Sequence, residues 1–357
     1  MTQVTPPIPK DNQDRWLPEF RERAPWLGGD LQTLRTKVLG SLGKPFRVIN
    51  TYPAQKVILP FDDRSGDSFS GILNFPARLP QKPLVVLIHG LTGTAESAYN
   101  VAAASYLLEQ GYPVFRPDLR GAGGSRSLCK KHYHAGSSGD LAAILRVLSQ
   151  VVSIKEMLKE GILLVGFSLG GNIVLKLLGE AGKSIHDQCQ TNIHAIASVS
   201  APIDLAAASK RIHEPRNLIY HRYLLERMKK EAFATPGGLS LENLSMIKKA
   251  RTIYEFDDQY VALQNGFRGA SDYYAQSSAL RLLGSIQIPT LLIYALNDPW
   301  IPPDAYQELH WKDYQYLMPG LTLGGGHVGF HDAVSDTPWH NRVLSKFFDR
   351  IIEGGRI

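Results

Sequence analysis

The feature that most constrains this chain is Gly166-Phe167-Ser168-Leu169-Gly170-Gly171, set between the apolar run 162–165 and the helical pattern 172–178. A short apolar, β-branched run followed at once by a helix is half of a βαβ unit. A serine on the tight turn between them needs glycine two residues before and two after, because a Cβ at either place would meet the neighbouring strand or helix. Gly166 and Gly170 fill those places. The helix starting behind Ser168 directs its N-terminal dipole at the hydroxyl and favours negative charge there. Alone, Gly-x-Ser-x-Gly recurs by chance; between strand and helix it points to a nucleophile held at a strand end.

The rest of the chain repeats the same alternation. Apolar runs at 84–88, 113–115, 162–165, 195–199, 290–294 and 315–317 read as strands, several of them apolar on consecutive positions as in strands covered on both faces. Helical patterns fall at 98–110, 140–152, 172–178 and 339–352, the last with Val343, Leu344, Phe347, Phe348 and Ile351 on one stripe. Runs 46–61 and 68–75, separated by Asp62-Asp63-Arg64-Ser65-Gly66, form an antiparallel hairpin ahead of them. The expected class is α/β, a mostly parallel twisted sheet with helices on both faces. Residues 206–285 break the rhythm with helical stretches and the tyrosines Tyr220, Tyr223, Tyr254, Tyr260, Tyr273 and Tyr274. An insertion of that length reads as a helical cap over the carboxyl ends of the strands, where open α/β sheets bind ligands. Residues 1–45, with Trp16, Trp26, Leu27, Leu31 and Leu34, form an extension packing on a core of 46–205 and 286–357.

Composition excludes other classes. At 44% hydrophobic and 20% charged residues, the 357-residue chain is neither disordered nor collagenous. Its formal charge is +6, but the basic clusters are pairs, such as Lys130-Lys131, Lys229-Lys230 and Lys248-Lys249, and no nucleic-acid-binding module is visible. Residues 206–285 hold twelve Lys and Arg against eight Asp and Glu, a surplus suited to substrate approach or transient contact with an anionic membrane surface. No stretch reaches the length of a transmembrane span, and the polar, Pro-rich start is not a secretory signal. Two distant cysteines, Cys129 and Cys189, form neither a disulfide framework nor a Cys-rich zinc site. The His132-Tyr133-His134 cluster lacks a matching carboxylate or cysteine set, so no metal and no cofactor is expected. A cytoplasmic protein is the default expectation.

A serine hydroxyl is a poor nucleophile without a base, and the base needs an orienting acid. Asp298 follows the run 290–294 in Ala295-Leu296-Asn297-Asp298-Pro299, and Asp204 and Asp304 compete with it for the acid role. His327 lies in Gly324-Gly325-Gly326-His327-Val328-Gly329, a loop whose glycines let it curl across the strand ends; His331 is its rival. Ser168, Asp298 and His327 each end a separate strand, in the chain order of the α/β-hydrolase triad. The oxyanion requires two backbone amides: Leu169, next after the serine, and one in His89-Gly90-Leu91-Thr92-Gly93, where Leu91 is the choice.

These motifs, with Arg116-Pro117-Asp118-Leu119-Arg120-Gly121-Ala122-Gly123-Gly124-Ser125, resemble the α/β-hydrolases. More narrowly the chain resembles the YheT-like subgroup, related to plant embryogenesis-associated hydrolases, abhydrolase-domain lipases and yeast medium-chain ester synthases. That likeness rests on Asp30-Leu31-Gln32-Thr33-Leu34, Glu255-Phe256-Asp257, Gly266-Phe267 and Asp272-Tyr273-Tyr274, with an aspartate at position 30 where the subgroup pattern suggests a histidine. The resemblance implies hydrolysis of acyl esters by Ser168, His327 and Asp298, on a small-molecule or lipid substrate. An acyltransferase or phospholipase using the same residues is the alternative, and a non-catalytic binding protein on this fold a third. Cap packing is the favoured role for Glu255-Phe256-Asp257 and Tyr273-Tyr274.

Overall fold

The computed structural model describes residues 16–41, 51–77 and 82–354. Eight strands, β1 (Ala54–Pro60), β2 (Ser68–Asn74), β3 (Leu84–Ile88), β4 (Val114–Pro117), β5 (Ile162–Phe167), β6 (Ile193–Val199), β7 (Thr290–Ala295) and β8 (Leu317–Thr322), form one sheet in the order β1-β2-β4-β3-β5-β6-β7-β8. β2 pairs antiparallel with both β1 and β4, and the remaining neighbours are parallel. The chain goes from β3 to one side and returns to its other side as β5, so the strand order reverses at β3. Ligand crevices of open α/β sheets lie at such points, outside the carboxyl ends of the strands.

The principal helices are α1 (Gly29–Ser41), α2 (Ala98–Glu109), α3 (Ser138–Val147), α4 (Leu169–Ala181), α5 (Leu205–Ile212), α6 (Leu218–Phe233), α7 (Leu241–Lys249), α8 (Ala270–Ser277) and α9 (Trp339–Ile352). Side chains alternate across a strand, and both faces of β3 are covered. Leu84, Val86 and Ile88 pack with Leu141 and Ile144 of α3 and Ile173 and Leu177 of α4. Val85 and Leu87 pack with Leu107 of α2 and with Leu344, Phe347 and Phe348 of α9. That is why these strands read as unbroken apolar runs.

Several boundaries differ from the sequence reading, three of them for a reason that bears on the fold. β8 runs on through Pro319, opposite Leu292, instead of stopping at 317; it is an edge strand, one side of which carries no ladder, and there proline is tolerated. The helix expected over 140–152 ends at Val147, where Ser149 Oγ donates back to Arg146 O at 3.3 Å and competes with the helical ladder; a second short helix follows at Val152–Met157. The first strand of the hairpin starts at Ala54, and residues 46–50 of the expected run 46–61 lie outside the described residues.

Trp16 stacks on Phe347 at 6.1 Å, Phe20 meets Phe330 and Trp339 edge-on, and Trp339 Nε1 donates to Pro18 O at 2.7 Å. Leu27 and Leu31, by contrast, are exposed. Arg120, 2% exposed at its side chain, ties the hairpin turn to α3 through Asp63, Asp67 and Asp140. Helices α5 to α8 lie between β6 and β7; α5, α6, α7 and the short helix Ile253–Phe256 share their own apolar cluster, including Ile212, Leu224, Met228, Ile247 and Phe256, which meets Leu34, Leu91 and Trp300, while Tyr273 and Tyr274 of α8 belong to the core of the sheet. Among the described residues no helix is long and apolar enough to cross a membrane.

Candidate active site

Ser168 ends β5 and caps α4 at φ 51°, ψ −122°, a sparsely populated conformation for a residue with a side chain. The turn holds because nothing else fits. A Cβ at Gly170 would lie 2.5 Å from both His89 O and Ile88 O; one at Gly166 would strike the backbone of Gly170 and Gly171; one at Gly171 would come within 2.7 Å of Ser198 Oγ. Close packing of α4 on β3, β5 and β6 therefore forces the chain to turn sharply and carries the hydroxyl clear of the sheet.

His327 Nε2 lies 2.9 Å from Ser168 Oγ, and His327 Nδ1 lies 2.8 Å from Asp298 Oδ2. Asp298 Oδ1 accepts Trp300 N–H at 2.8 Å and Ile301 N–H at 3.1 Å, so its carboxylate is fixed at both oxygens. With Nδ1–H donated to the carboxylate, Nε2 is left to accept the serine proton. The competitors are elsewhere. Asp204 caps α5, accepting Ala207 N–H at 3.0 Å, and Asp304 sits in the first turn of the helix Asp304–Gln307. His331 faces away from the serine, 2.6 Å from Arg35 Nη1 and 3.1 Å from Thr36 Oγ1, and burial pushes its pKa down to about 2.

The loop after β3 approaches the serine closely: a Cβ at Gly90 would lie 2.9 Å from that of Ser168. Buried His89 accepts Leu119 N–H at Nε2 (3.0 Å), so its Nδ1 carries the proton and donates to Gly90 O at 2.9 Å. Burial depresses its pKa and keeps it neutral. Asp118, from the Arg-Pro-Asp-Leu-Arg-Gly motif, accepts Ala95 N–H at 2.8 Å, Gly124 N–H at 2.9 Å and the Ser70 hydroxyl at 3.0 Å, a scaffold role behind this loop. Leu91 and Leu169, expected to supply the oxyanion amides, both line the cavity that contains Ser168 and His327.

Residues 83–334 match the family described as the alpha/beta hydrolase fold. The chain is 34% identical over 259 residues to YheT of Escherichia coli (strain K12), whose name marks it as a candidate esterase, covering 71% of this chain and 72% of that one. This chain is an α/β hydrolase of the YheT-like group. It is also 27% identical over 278 residues to the phospholipase ABHD3 of Mus musculus, covering 77% of this chain and 65% of that one. To the medium-chain fatty acid ethyl ester synthase/esterase 2 of Saccharomyces cerevisiae it is 24% identical over 296 residues, with 76% and 63% covered, so it spans under two thirds of those two relatives. Among solved structures the Pyrococcus furiosus esterase Pf2001 has the same fold, with a TM-score of 0.56 at 18% identity over 84% of this chain and 92% of that one.

In this α/β hydrolase the serine opens into a cavity of about 1070 Å³ lined by the loop 90–94, the loop 130–135 and the helices between β6 and β7. Tyr220, Tyr223, Tyr260, Tyr273 and Tyr274 line it, as do His132 and His134, while the side chains that fold the insertion overlap with them: Tyr273 Oη accepts Ala135 N–H at 2.8 Å and Tyr274 donates to Asp257 at 2.7 Å. Burial raises the Asp257 carboxyl to about 7 and lowers His134 to about 4. Tyr254, the remaining tyrosine of the insertion, is exposed.

Sequence reasoning missed the residues that brace the histidine loop. Thr33 Oγ1 on α1 accepts His327 N–H at 2.8 Å, Asn297 Oδ1 accepts Gly326 N–H at 2.9 Å, and Ser200 Oγ accepts Val328 N–H at 3.1 Å. Glu22 accepts from Asn297 Nδ2 at 3.0 Å, Gly325 N–H at 3.2 Å and Gly28 N–H at 2.6 Å. Trp300 stacks on the His327 ring at 4.3 Å between centroids. Asn297 and Trp300, within two residues of Asp298, carried a local signal, and Thr33 lay in the motif 30–34 on which the resemblance rests. Asp30, where a histidine was expected, instead accepts from Tyr220 Oη at 3.0 Å and Arg216 Nη2 at 2.9 Å, joining α1 to the insertion.

Proposed function

We propose that this chain is a serine carboxylic ester hydrolase that cleaves short- to medium-chain acyl esters through an acyl-Ser168 intermediate. The hydrogen-bonded row Ser168–His327–Asp298 at 2.9 and 2.8 Å, opening into an aromatic-lined cavity, carries this reading. Ser168 Oγ attacks the ester carbonyl while its proton passes to His327 Nε2. The carbonyl oxygen becomes an oxyanion held by the Leu91 and Leu169 amides, and Asp298 stabilises the imidazolium. As the C–O bond breaks, His327 returns the proton to the departing alcohol. Water then enters, loses its proton to the same nitrogen and releases the acid.

In this reading 206–285 is the cap that selects the acyl chain, 46–205 with 286–357 is the core, and 1–45 is an extension packing on that core, from which Glu22 and Thr33 reach the histidine loop. Two free, buried cysteines suit a cytoplasmic setting. The yeast relative's name includes ester synthesis, so an alcohol in place of water is the second reading.

The test is turnover of p-nitrophenyl esters from acetate to palmitate, with and without ethanol. Short and medium chains should be preferred, with free acid as the main product; mostly ethyl ester would move the assignment to acyl transfer. Ser168→Ala should abolish both turnover and labelling by a fluorophosphonate, and retained labelling would put the nucleophile elsewhere.

A further inference from the structure

The Leu91 amide owes its position to the peptide groups around it. Gly90 N–H donates to Tyr99 Oη at 2.9 Å, Thr92 N–H to Tyr133 Oη at 2.7 Å and Gly93 N–H to Gly90 O at 3.0 Å. Thr92 stands at φ 55°, a region that β-branched residues seldom occupy, so the loop does not keep this shape by local preference. One further polar group of the turn, Thr92 O, accepts from Arg227 Nη2 at 3.0 Å. The other partners named here belong to the core or to the loop itself; Arg227 belongs to α6.

Helix α6 presents Tyr223, Arg227 and Glu231 at successive intervals of four residues, hence along one face. Arg227 Nη1 donates to Tyr223 Oη at 3.2 Å, which steadies the guanidinium, and Glu231 lies 3.4 Å from His132 Nε2. His132 precedes Tyr133, whose hydroxyl takes the Thr92 amide. The same face of α6 therefore holds the Thr92 carbonyl directly and lies against the segment whose Tyr133 hydroxyl takes the Thr92 amide, so both peptide groups flanking the Thr92 Cα are tied down.

We infer that Arg227 is a positioning residue for ester cleavage: by holding the Thr92 carbonyl from the cap, it keeps the Leu91 amide aimed at the developing oxyanion. The inference rests on the esterase reading above. It makes the acceptor for negative charge complete only when α6 is seated, so that cap and chemistry are coupled through one hydrogen bond. Charge-assisted bonds from guanidinium are strong enough to hold a backbone carbonyl in place. A displaced oxyanion donor weakens the transition state while leaving the ground-state complex nearly untouched.

The experiment compares Arg227→Ala, Arg227→Lys and Arg222→Ala in the full chain, the last removing a like charge from α6 outside the cavity. Turnover of p-nitrophenyl butyrate is measured together with inhibition by an alkyl trifluoromethyl ketone, which forms a tetrahedral oxyanion on the serine, and by butyrate, which does not. Arg227→Ala should lower kcat about ten- to a hundredfold with KM changed by less than about twofold. The ketone should weaken in proportion to kcat/KM and butyrate should not. Arg227→Lys should recover part of the loss, since one ammonium donor still reaches the carbonyl, and Arg222→Ala should behave as wild type. An unchanged kcat, a rise in KM alone, or equal weakening of both inhibitors would overturn the inference and leave Arg227 as a substrate contact. A wild-type chain that neither turns over esters nor is labelled at Ser168 would instead overturn the esterase reading, and this inference with it.

Discussion

Gly90 and Ser168 share a space with no room for one more carbon. The Cβ of an alanine at position 90 would sit 2.9 Å from the serine Cβ, which the backbone fixes directly, and 3.1 Å from the backbone Phe167 O. Gly90→Ala should therefore push the oxyanion loop away from the serine and cost about 10² in kcat, since misplacement of about 1 Å can cost that much. Parallel measurement of p-nitrophenyl butyrate turnover and Tm checks this, with the activity loss expected to exceed anything a Tm shift of a few degrees explains. Activity close to wild type would mean that the loop has freedom the close approach denies it.

At the scale of elements, α1 and the segment before it brace the loop that carries His327. Thr33 holds the His327 amide and donates to Gly29 O at 2.6 Å, while Gly29 itself packs so tightly on Asn297 that a Cβ there would overlap its carbonyl. Thr33→Val keeps the shape and removes the acceptor, leaving the His327 N–H unsatisfied at a cost of about 1–3 kcal/mol. We expect kcat to fall several-fold while KM stays near wild type, as a mobile imidazole would require; KM rising alone would place Thr33 in substrate binding instead. The motif at 30–34 was legible in the sequence only as a resemblance, because the bonds it makes, from Thr33 to His327 and from Gln32 to His331, cross nearly 300 residues of chain.

For the whole molecule, buried titratable groups set the pH range of stability. Burial holds His89, His134, His331 and His340 below their ordinary 6.5. The unfolded chain takes up those protons as pH falls below about 6.5 and the folded chain does not, so stability declines on acidification, by up to about 1.4 kcal/mol per pH unit for each group. Asp257 works in the opposite sense. Its carboxyl, raised from 3.8 to about 7, keeps its proton in the folded chain while the unfolded chain loses it, so its contribution is lost as pH climbs from about 4 through 7. Counting His221, which burial also holds down, and Asp140, which burial also raises, five histidines against two aspartates predict a Tm that drops between pH 7 and pH 5; a Tm that rises there would contradict the burial of these rings. Asp257→Asn should be more stable than wild type at pH 8 by several degrees, the gap closing towards pH 5, and a pH-independent difference would show that the carboxyl is already ionised when buried.

What the sequence determined by itself was local chemistry: the glycines that permit the Ser168 turn, the apolar runs that become strands covered on both faces, and the strand-end places of Asp298 and His327. Such signals survive in one dimension because each depends on its immediate neighbours, through φ, side-chain size or alternation. The run 315–317 marked only the start of β8 (Leu317–Thr322), and that this strand lies at an edge, where Pro319 is tolerated, shows only in the sheet order. Asp298 and His327 were already preferred over Asp204 and His331 in the sequence; the hydrogen bonds that join them to Ser168, the bracing by Glu22 and Thr33, the stacking of Trp300 and the reach of Arg227 to Thr92 belong to the tertiary structure. Those are contacts between segments far apart in the chain, and a hydrogen bond leaves no mark on the spacing of residues that meet only when the sheet closes.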